Sequence, residues 1–343
     1  MMQRTRTGLI ALLIAACLVM VLASLMIGRA DLSVGQVWRE WRSGLSPSEA
    51  PALGILVQQR LPRTLAALLA GCGLALAGCA FQALLRNPLA TPYTLGIASA
   101  GAFGAWTATI LVQGFGYSLA VLGPRPVQML AFLCAALDMA IVYGLAARGK
   151  RLSPAVLLLA GVTLGMLANA GILLMRYLAD PERLVQMDRW LMGGVDVLGS
   201  EPITILFVGV VPCSLVLLAQ GAKYDQLSFG AEMAAGRGVH VRRLQLVTFI
   251  IGSLMTAVIV SVVGPIGFVG LIVPHAVRSI SGSRHRILMP LSALAGGAFL
   301  CLCDIIARKV ATGEFPIGII TSLAGGPFFL YLLMRRRFTD WEM

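Results

Sequence analysis

The chain has 343 residues, of which 58% are hydrophobic and 12% charged, with 27 Lys and Arg against 15 Asp and Glu for a net charge of +12. Soluble domains carry about twice that charged fraction, and a nucleic-acid binder is charge-rich throughout, so both classes are excluded. At ~20 apolar residues per bilayer-crossing helix, the apolar content allows about ten spans.

Apolar stretches of that length, bounded by charge, Pro or Gly, lie at about 8–28, 63–83, 93–113, 127–147, 155–175, 203–220, 244–264, 267–283, 287–307 and 316–334. The first follows Arg4 and Arg6, but its run is long and no small-x-small cleavage site follows, so it reads as a retained span. The eighth contains Pro265, Gly267, Gly270 and Pro274 and is expected to be a broken or partial helix. Connections are short, which predicts one all-α transmembrane domain over residues 1–343, its longest inner loop at about 221–243. The seven cysteines all fall in apolar runs without a C-x-x-C pair, and read as small packing residues rather than disulfides or metal ligands.

Alternating the ten spans from a cytoplasmic N-terminus puts sixteen basic residues and four acids inside, among them Arg86, Arg148, Lys150, Arg151, Arg242, Arg243 and Arg335–Arg337. Eleven basic residues and ten acids fall outside, and Asp138 stays within a span. The whole excess is then cytoplasmic, as the positive-inside bias requires, and both termini are expected inside.

Several motifs carry competing readings. Gly144-Leu-Ala-Ala-Arg-Gly149-Lys150-Arg151 approaches a phosphate-binding loop, but Arg151 replaces the magnesium-binding hydroxyl and the segment closes an apolar span. No nucleotide-binding motif is therefore assigned. Gly161-x-x-x-Gly165 permits close helix approach, either within one subunit or at an interface or pathway. Asp304 has Arg308 one turn later and reads as a helical ion pair. Asp138 has no local partner, and a structural hydrogen bond competes with a proton relay. Interruptions at Asn87-Pro-Leu-Ala-Thr-Pro92 and Gly264-Pro-Ile-Gly267 through Pro274-His275 occupy comparable places in the two halves, a transporter pattern. His275 is expected to bond freed carbonyls rather than a metal. In the inner loop, Asp225 or Ser228 is a candidate helix N-cap and Gly236 or Gly238 a stop. Leu227, Phe229 and Met233 are expected to be exposed there for docking, to a protein in preference to the membrane surface.

Arg60-Leu-Pro-Arg63-Thr64, Gln82, Asn87-Pro-Leu-Ala90-x-Pro92, Gly264-Pro-Ile-Gly-Phe-Val-Gly-Leu-Ile-Val-Pro-His275, Asp304-Ile-Ile-Ala-Arg308 and Glu314-Phe-Pro-Ile-Gly318 together resemble the FecCD-type permeases of ABC importers, in family order from about residue 8 to 337. The resemblance implies a type II importer permease of ten helices in a bacterial cytoplasmic (inner) membrane, taking up iron–siderophores, haem or cobalamin. It implies a homodimer, or a dimer with a similar permease, and partnership with cytoplasmic ATPase subunits and a periplasmic or lipid-anchored substrate-binding protein. ATP would be used by the partner, with no cofactor or metal bound directly and no catalysis by this chain.

By the same resemblance, Arg60, Arg63 and Arg308 face outward to pair with carboxylates of the binding protein. The segment with Leu227, Phe229, Glu232 and Gly238 couples to the ATPases, and Ser153, Pro154 and Ala155 mark the inner gate, with Gly161 and Gly165 along the pathway. Thr91, Ala98 and Ala100 depart from the family's usual residues. An iron chelate is the expected cargo. Cobalamin is the alternative, and a proton-coupled secondary transporter using Asp138 is the rival from another class.

Overall fold

In hydrocarbon every backbone N–H and C=O must be bonded within its own segment, which for an apolar chain without alternating polarity means helices. The computed structural model describes residues 2–28, 32–44, 46–114, 125–147, 153–179, 184, 188–195, 199–310 and 315–335, and among these all strands are absent. The helices are α1 (Met2–Met26), α2 (Val34–Arg42), α3 (Pro51–Leu85), α4 (Ile97–Thr109), α5 (Pro126–Ala146), α6 (Pro154–Leu178), α7 (Glu201–Ala219), α8 (Gly221–Leu227), α9 (Ala231–Gly236), α10 (Val241–Val263), α11 (Val269–Ser281), α12 (His285–Val310) and α13 (Ile317–Arg335). Six are long and apolar enough to cross a membrane: α3, α5, α6, α7, α10 and α12. Shorter apolar stretches in α1, α4, α11 and α13 make up the ten expected.

Helix α3 is the axis. Its most apolar window is 78% buried, against 22% for α6 and 28% for α7. It is lined with Ala66, Ala67, Ala70, Gly71, Gly73, Ala75, Ala77, Gly78 and Ala80, so neighbours come in to backbone distance. A Cβ on Gly71 would strike the carbonyl of Gly296 in α12, and one on Gly296 would strike Gly71 in return. Gly78 meets the backbone of Gly270 in α11 in the same way, and Gly73 admits Ile259 and Met255 of α10 and Val210 of α7. Helix α4 packs on α5 at Gly104, against Leu130 and Cys134, and on Val260 of α10 at Gly101.

The eighth span is broken as expected. Residues 264–267 belong to no helix, Gly264 and Phe268 adopt positive φ (70° and 66°), and α11 then runs only 13 residues. Pro274 inside α11 has no N–H for the carbonyl four residues back, at Gly270. The Gln82 side chain takes that carbonyl instead, Nε2 donating at 3.2 Å. The other Gln82 atom, Oε1, accepts from Arg278 Nη2 at 3.3 Å, so one α3 side chain repairs and anchors the broken helix. His275, expected to serve freed carbonyls, is buried in the same helix. All seven cysteines are free thiols.

Candidate functional site

Two clusters of polar side chains occupy opposite ends of the bundle. The first lies where α1 ends, α3 begins and α12 ends. A helix terminus leaves its last four carbonyls without partners and carries partial negative charge. At the end of α1, Ala23 O accepts from Ile27 N at 2.7 Å. Arg308 Nη1 donates to Ser24 O at 3.0 Å, and Arg60 Nη1 to Leu25 O at 3.0 Å and to Met26 O. Arg60 closes a π-helical stretch, Ile55–Arg60, within α3.

Asp304, fully buried, joins the other two arginines. Its Oδ1 accepts from Arg63 Nε at 2.7 Å, and its Oδ2 stands 2.7 Å from Arg308 Nη2, an ion pair without hydrogen-bond alignment. Ser24 Oγ accepts from Arg308 Nη2 at 2.6 Å and is hydrogen-bonded to Thr64 Oγ1 at 2.9 Å. The expected i,i+4 pair is therefore present. Arg60, Arg63 and Arg308, expected to face outward, gather together at the α1 end of the bundle and are largely covered within this subunit. Arg60 is 5% exposed, and the Arg308 side chain 8%, because α1's open carbonyls and the buried Asp304 carboxylate draw both guanidinium groups inward. Arg63, with 16% side-chain exposure, is the most open of the three.

The second cluster surrounds α8 and α9. The expected single short helix is two, joined through Gly230 at φ 114°. Asp225 does not cap it. Its Oδ1 accepts from the backbone N–H of His285 and lies 3.1 Å from His285 Nδ1, fastening α8 to the first residue of α12. Tyr224 Oη bonds Thr248 Oγ1 at 2.7 Å, tying α8 to α10, and burial pushes the Tyr224 phenol above its ordinary value so that it stays neutral. Helix α9 ends at Gly236, and Gly238 follows at φ 84°, as expected.

Phe229 and Met233 are exposed, with the Arg237 guanidinium 5.3 Å from the Phe229 ring centre, and Glu232 is exposed beside them. Leu227 is a correction: it is 2% exposed and joins the core, because α8 turns that face onto the bundle. Tyr224, Asp225 and Leu227 thus hold the segment down, while Phe229 and Met233 are displayed. Helix α12 runs from this cluster, at His285, to the first, at Asp304; nineteen residues at 1.5 Å each separate them by about 28 Å.

Of the readings open for Gly161 and Gly165, close approach within one subunit is present. Gly161 and Gly165 are buried against Leu95, Gly96 and Ser99 of the same chain, so the small-residue stripe seats α6 on the start of α4. The opposite α6 face is open and apolar: Leu159, Met166, Leu167, Leu173 and Leu174 are each more than half exposed. Ser153 caps α6, its Oγ accepting from Val156 N, with Pro154 at the first turn and Ala155 exposed. Asp138 is buried beside Gly96, and its Oδ2 has no hydrogen-bond partner among the described residues. Residues 148–151 and Glu314 lie outside the described residues. The two Pro/Gly interruptions meet around a cavity of about 180 Å³, with Thr91, Pro92 and Tyr93 on one side and Ile266, Gly267 and Phe268 on the other. Among the described residues no group of His, Cys, Asp or Glu has a metal-holding arrangement.

Ser24, Thr64, Asp225 and His285 were not foreseeable as site residues. Each is an ordinary polar residue whose partner lies between 40 and 284 positions away in sequence.

Among the described residues, ten apolar helices around a small-residue axis, one of them broken, with a displayed loop at one end, define a polytopic membrane protein. A profile of the FecCD transport family matches residues 16–335. The chain is similar to the hemin transport permease of Yersinia pestis, 34% identical over 333 residues and covering 96% of both chains. It is 41% identical over 277 residues to the cobalamin import permease of Halobacterium salinarum, covering 81% of this chain and 72% of that one. An inward-facing ABC transporter structure of metal-chelate type superposes with a TM-score of 0.82 at 31% identity, covering 96% of this chain and 100% of the other. The chain belongs to the FecCD transport family and is a multi-span permease of an ABC importer, a transport component whose family works with ATPase and substrate-binding partners in the bacterial inner membrane.

Proposed function

We propose that this permease moves an iron chelate, a siderophore complex or haem, inward by alternating access. The observation that carries the cargo reading is the likeness over 96% of the chain to a transporter of metal-chelate type, together with the hemin permease of Yersinia pestis aligned over the same share. Cobalamin is the second reading, favoured by the 41% identity to the permease from Halobacterium salinarum. A homodimer, or a dimer with a similar permease, follows from the likeness to importer permeases. Positive charge gathered at the α8–α9 end, with Lys223, Arg237, Arg242, Arg243, Arg284 and Arg286, supports a cytoplasmic position for that end.

In this reading Phe229 and Met233 seat in the partner ATPase, and closure of the ATPases pushes α8 and α9. The Asp225–His285 link passes that push to α12. Binding-protein docking at the other face and ATP-driven closure at this one bias two packings of the dimer. The rival through Asp138 required transport without ATP, which an ABC importer does not perform. Growth of a permease-deleted strain carrying this gene, on single siderophores, haem or cobalamin, tests the cargo. Rescue on an iron source is expected, and rescue on cobalamin alone would overturn the iron reading.

A further inference from the structure

Helix α2 has no role in the machinery above, yet its construction is specific. Ser33 Oγ caps it by accepting from Gln36 N at 3.0 Å, and Ser43 Oγ closes it on Glu40 O at 2.7 Å. The Glu40 carboxylate accepts from Leu53 N–H at 2.9 Å, pinning α2 to the first turn of α3. Val34, Trp38 and Trp41 stand at i, i+4 and i+7, one face of a helix, and are 68%, 58% and 62% exposed. The two indoles touch, ring centres 5.2 Å apart. Arg39 and Arg42 are exposed beside them. An apolar stripe with two cations, held rigid and turned off the protein, is an interaction surface without a visible occupant.

Its height selects the occupant. Arg60 bonds the last carbonyls of α1, so that level marks the end of a bilayer-crossing helix. Leu53, to which α2 is pinned, lies seven residues further out along α3, about 10 Å at helical rise. The polar layer outside the hydrocarbon is only about 5–8 Å deep on each side. The helix is thus lifted to the outer edge of the lipid headgroups or beyond, where a protein partner is met. It stands at the end of the bundle opposite the coupling segment. Tryptophan and arginine are also the residues that most often dominate protein–protein affinity.

We propose that the Val34–Trp38–Trp41 stripe, with Arg39 and Arg42, is a docking surface for the substrate-binding protein, seating against an apolar patch edged by carboxylates. This rests on the importer orientation proposed above. The test is the affinity of the permease–ATPase complex in nanodiscs for its purified, cargo-free binding protein, compared with a Trp38→Ala/Trp41→Ala variant. Loss of two central anchors is expected to weaken binding at least ~30-fold, with basal ATP hydrolysis unchanged. Arg39→Glu/Arg42→Glu is expected to slow association and to abolish its slowing by salt. Unchanged affinity in the tryptophan variant overturns the proposal. So does quenching of the Trp38 and Trp41 emission by brominated lipid at wild-type affinity, which would assign the stripe to the membrane. If the wild-type complex hydrolyses ATP but does not bind the protein at all, the importer orientation itself fails, which is distinguishable from loss in the variant alone.

Discussion

Replacing Asp304 with Ala tests whether the arginine cluster is structural. The carboxylate is fully buried and stands 2.7 Å from both Arg63 Nε and Arg308 Nη2. Removing one member of a buried ionic group typically costs about 3–5 kcal/mol, because the remaining charges stay desolvated without compensation. Here the lower end applies. Arg308 keeps Ser24 O at 3.0 Å and Ser24 Oγ at 2.6 Å, and Arg63 can swing toward solvent from its 16% exposed position. About 3 kcal/mol is therefore expected for Asp304→Ala. Asp304→Asn, which keeps the volume and one acceptor, should lose about 2 kcal/mol. Denaturant unfolding in detergent, followed by helical circular dichroism, measures both. The combination Asp304→Leu/Arg308→Met should recover about half of the loss, since it removes the orphaned cation as well. An Asp304→Ala protein within ~0.5 kcal/mol of wild type, or a double variant no better than the single one, would refute the cluster as a structural staple.

Gly78→Val should prevent α11 from reaching α3, since a Cβ there overlaps the Gly270 backbone; loss of monodisperse protein on gel filtration is the expected result, with a cost above the ~1–3 kcal/mol of ordinary overpacking. Phe229→Ala/Met233→Ala should leave thermal stability unchanged, both side chains being exposed, while weakening co-purification of the ATPase subunits by about 10-fold or more. Asp225→Asn should keep the fold but loosen α8 from α12, lowering cargo uptake per ATP hydrolysed in proteoliposomes. Gly161→Leu should destabilise the single subunit by about 1–3 kcal/mol in the same unfolding assay, whereas Met166→Ala on the opposite face should leave that value unchanged.

The ten spans were legible because a bilayer sets a length and a polarity that few other environments impose. The broken α11 was legible for a similar reason: Pro265 and Gly267 deny a helix there whatever surrounds them. Asp304 with Arg308 was readable one turn apart, but Arg63, 241 residues away, carried no sign of its carboxylate partner. The capping of α1 was hidden more deeply, since the acceptors at Ser24, Leu25 and Met26 are backbone carbonyls that any residue would supply. Gly161-x-x-x-Gly165 announced a close approach without saying to what, and the partner proved to be the turn before α4. In α8 and α9, six or seven residues are too few to fix which side faces inward, so Leu227 was grouped with Phe229 and Met233 although the fold separates them. The α2 stripe hid inside a connection too polar to read as a span, although its i, i+4, i+7 spacing is regular.

The glycine-lined axis also has a consequence for synthesis. The bare faces of α3 at Gly71 and Gly78 are filled by Gly296 and Gly270, which leave the ribosome about 200 residues later. At the ~5–20 residues per second of translation, α3 waits roughly 10–40 seconds for them. During that interval a helix destined never to meet lipid is surrounded by it, or held by the insertion machinery. Final closure is thus an event of the last third of the chain, and truncations before α11 are expected to yield inserted but unpacked helices, open to proteolysis.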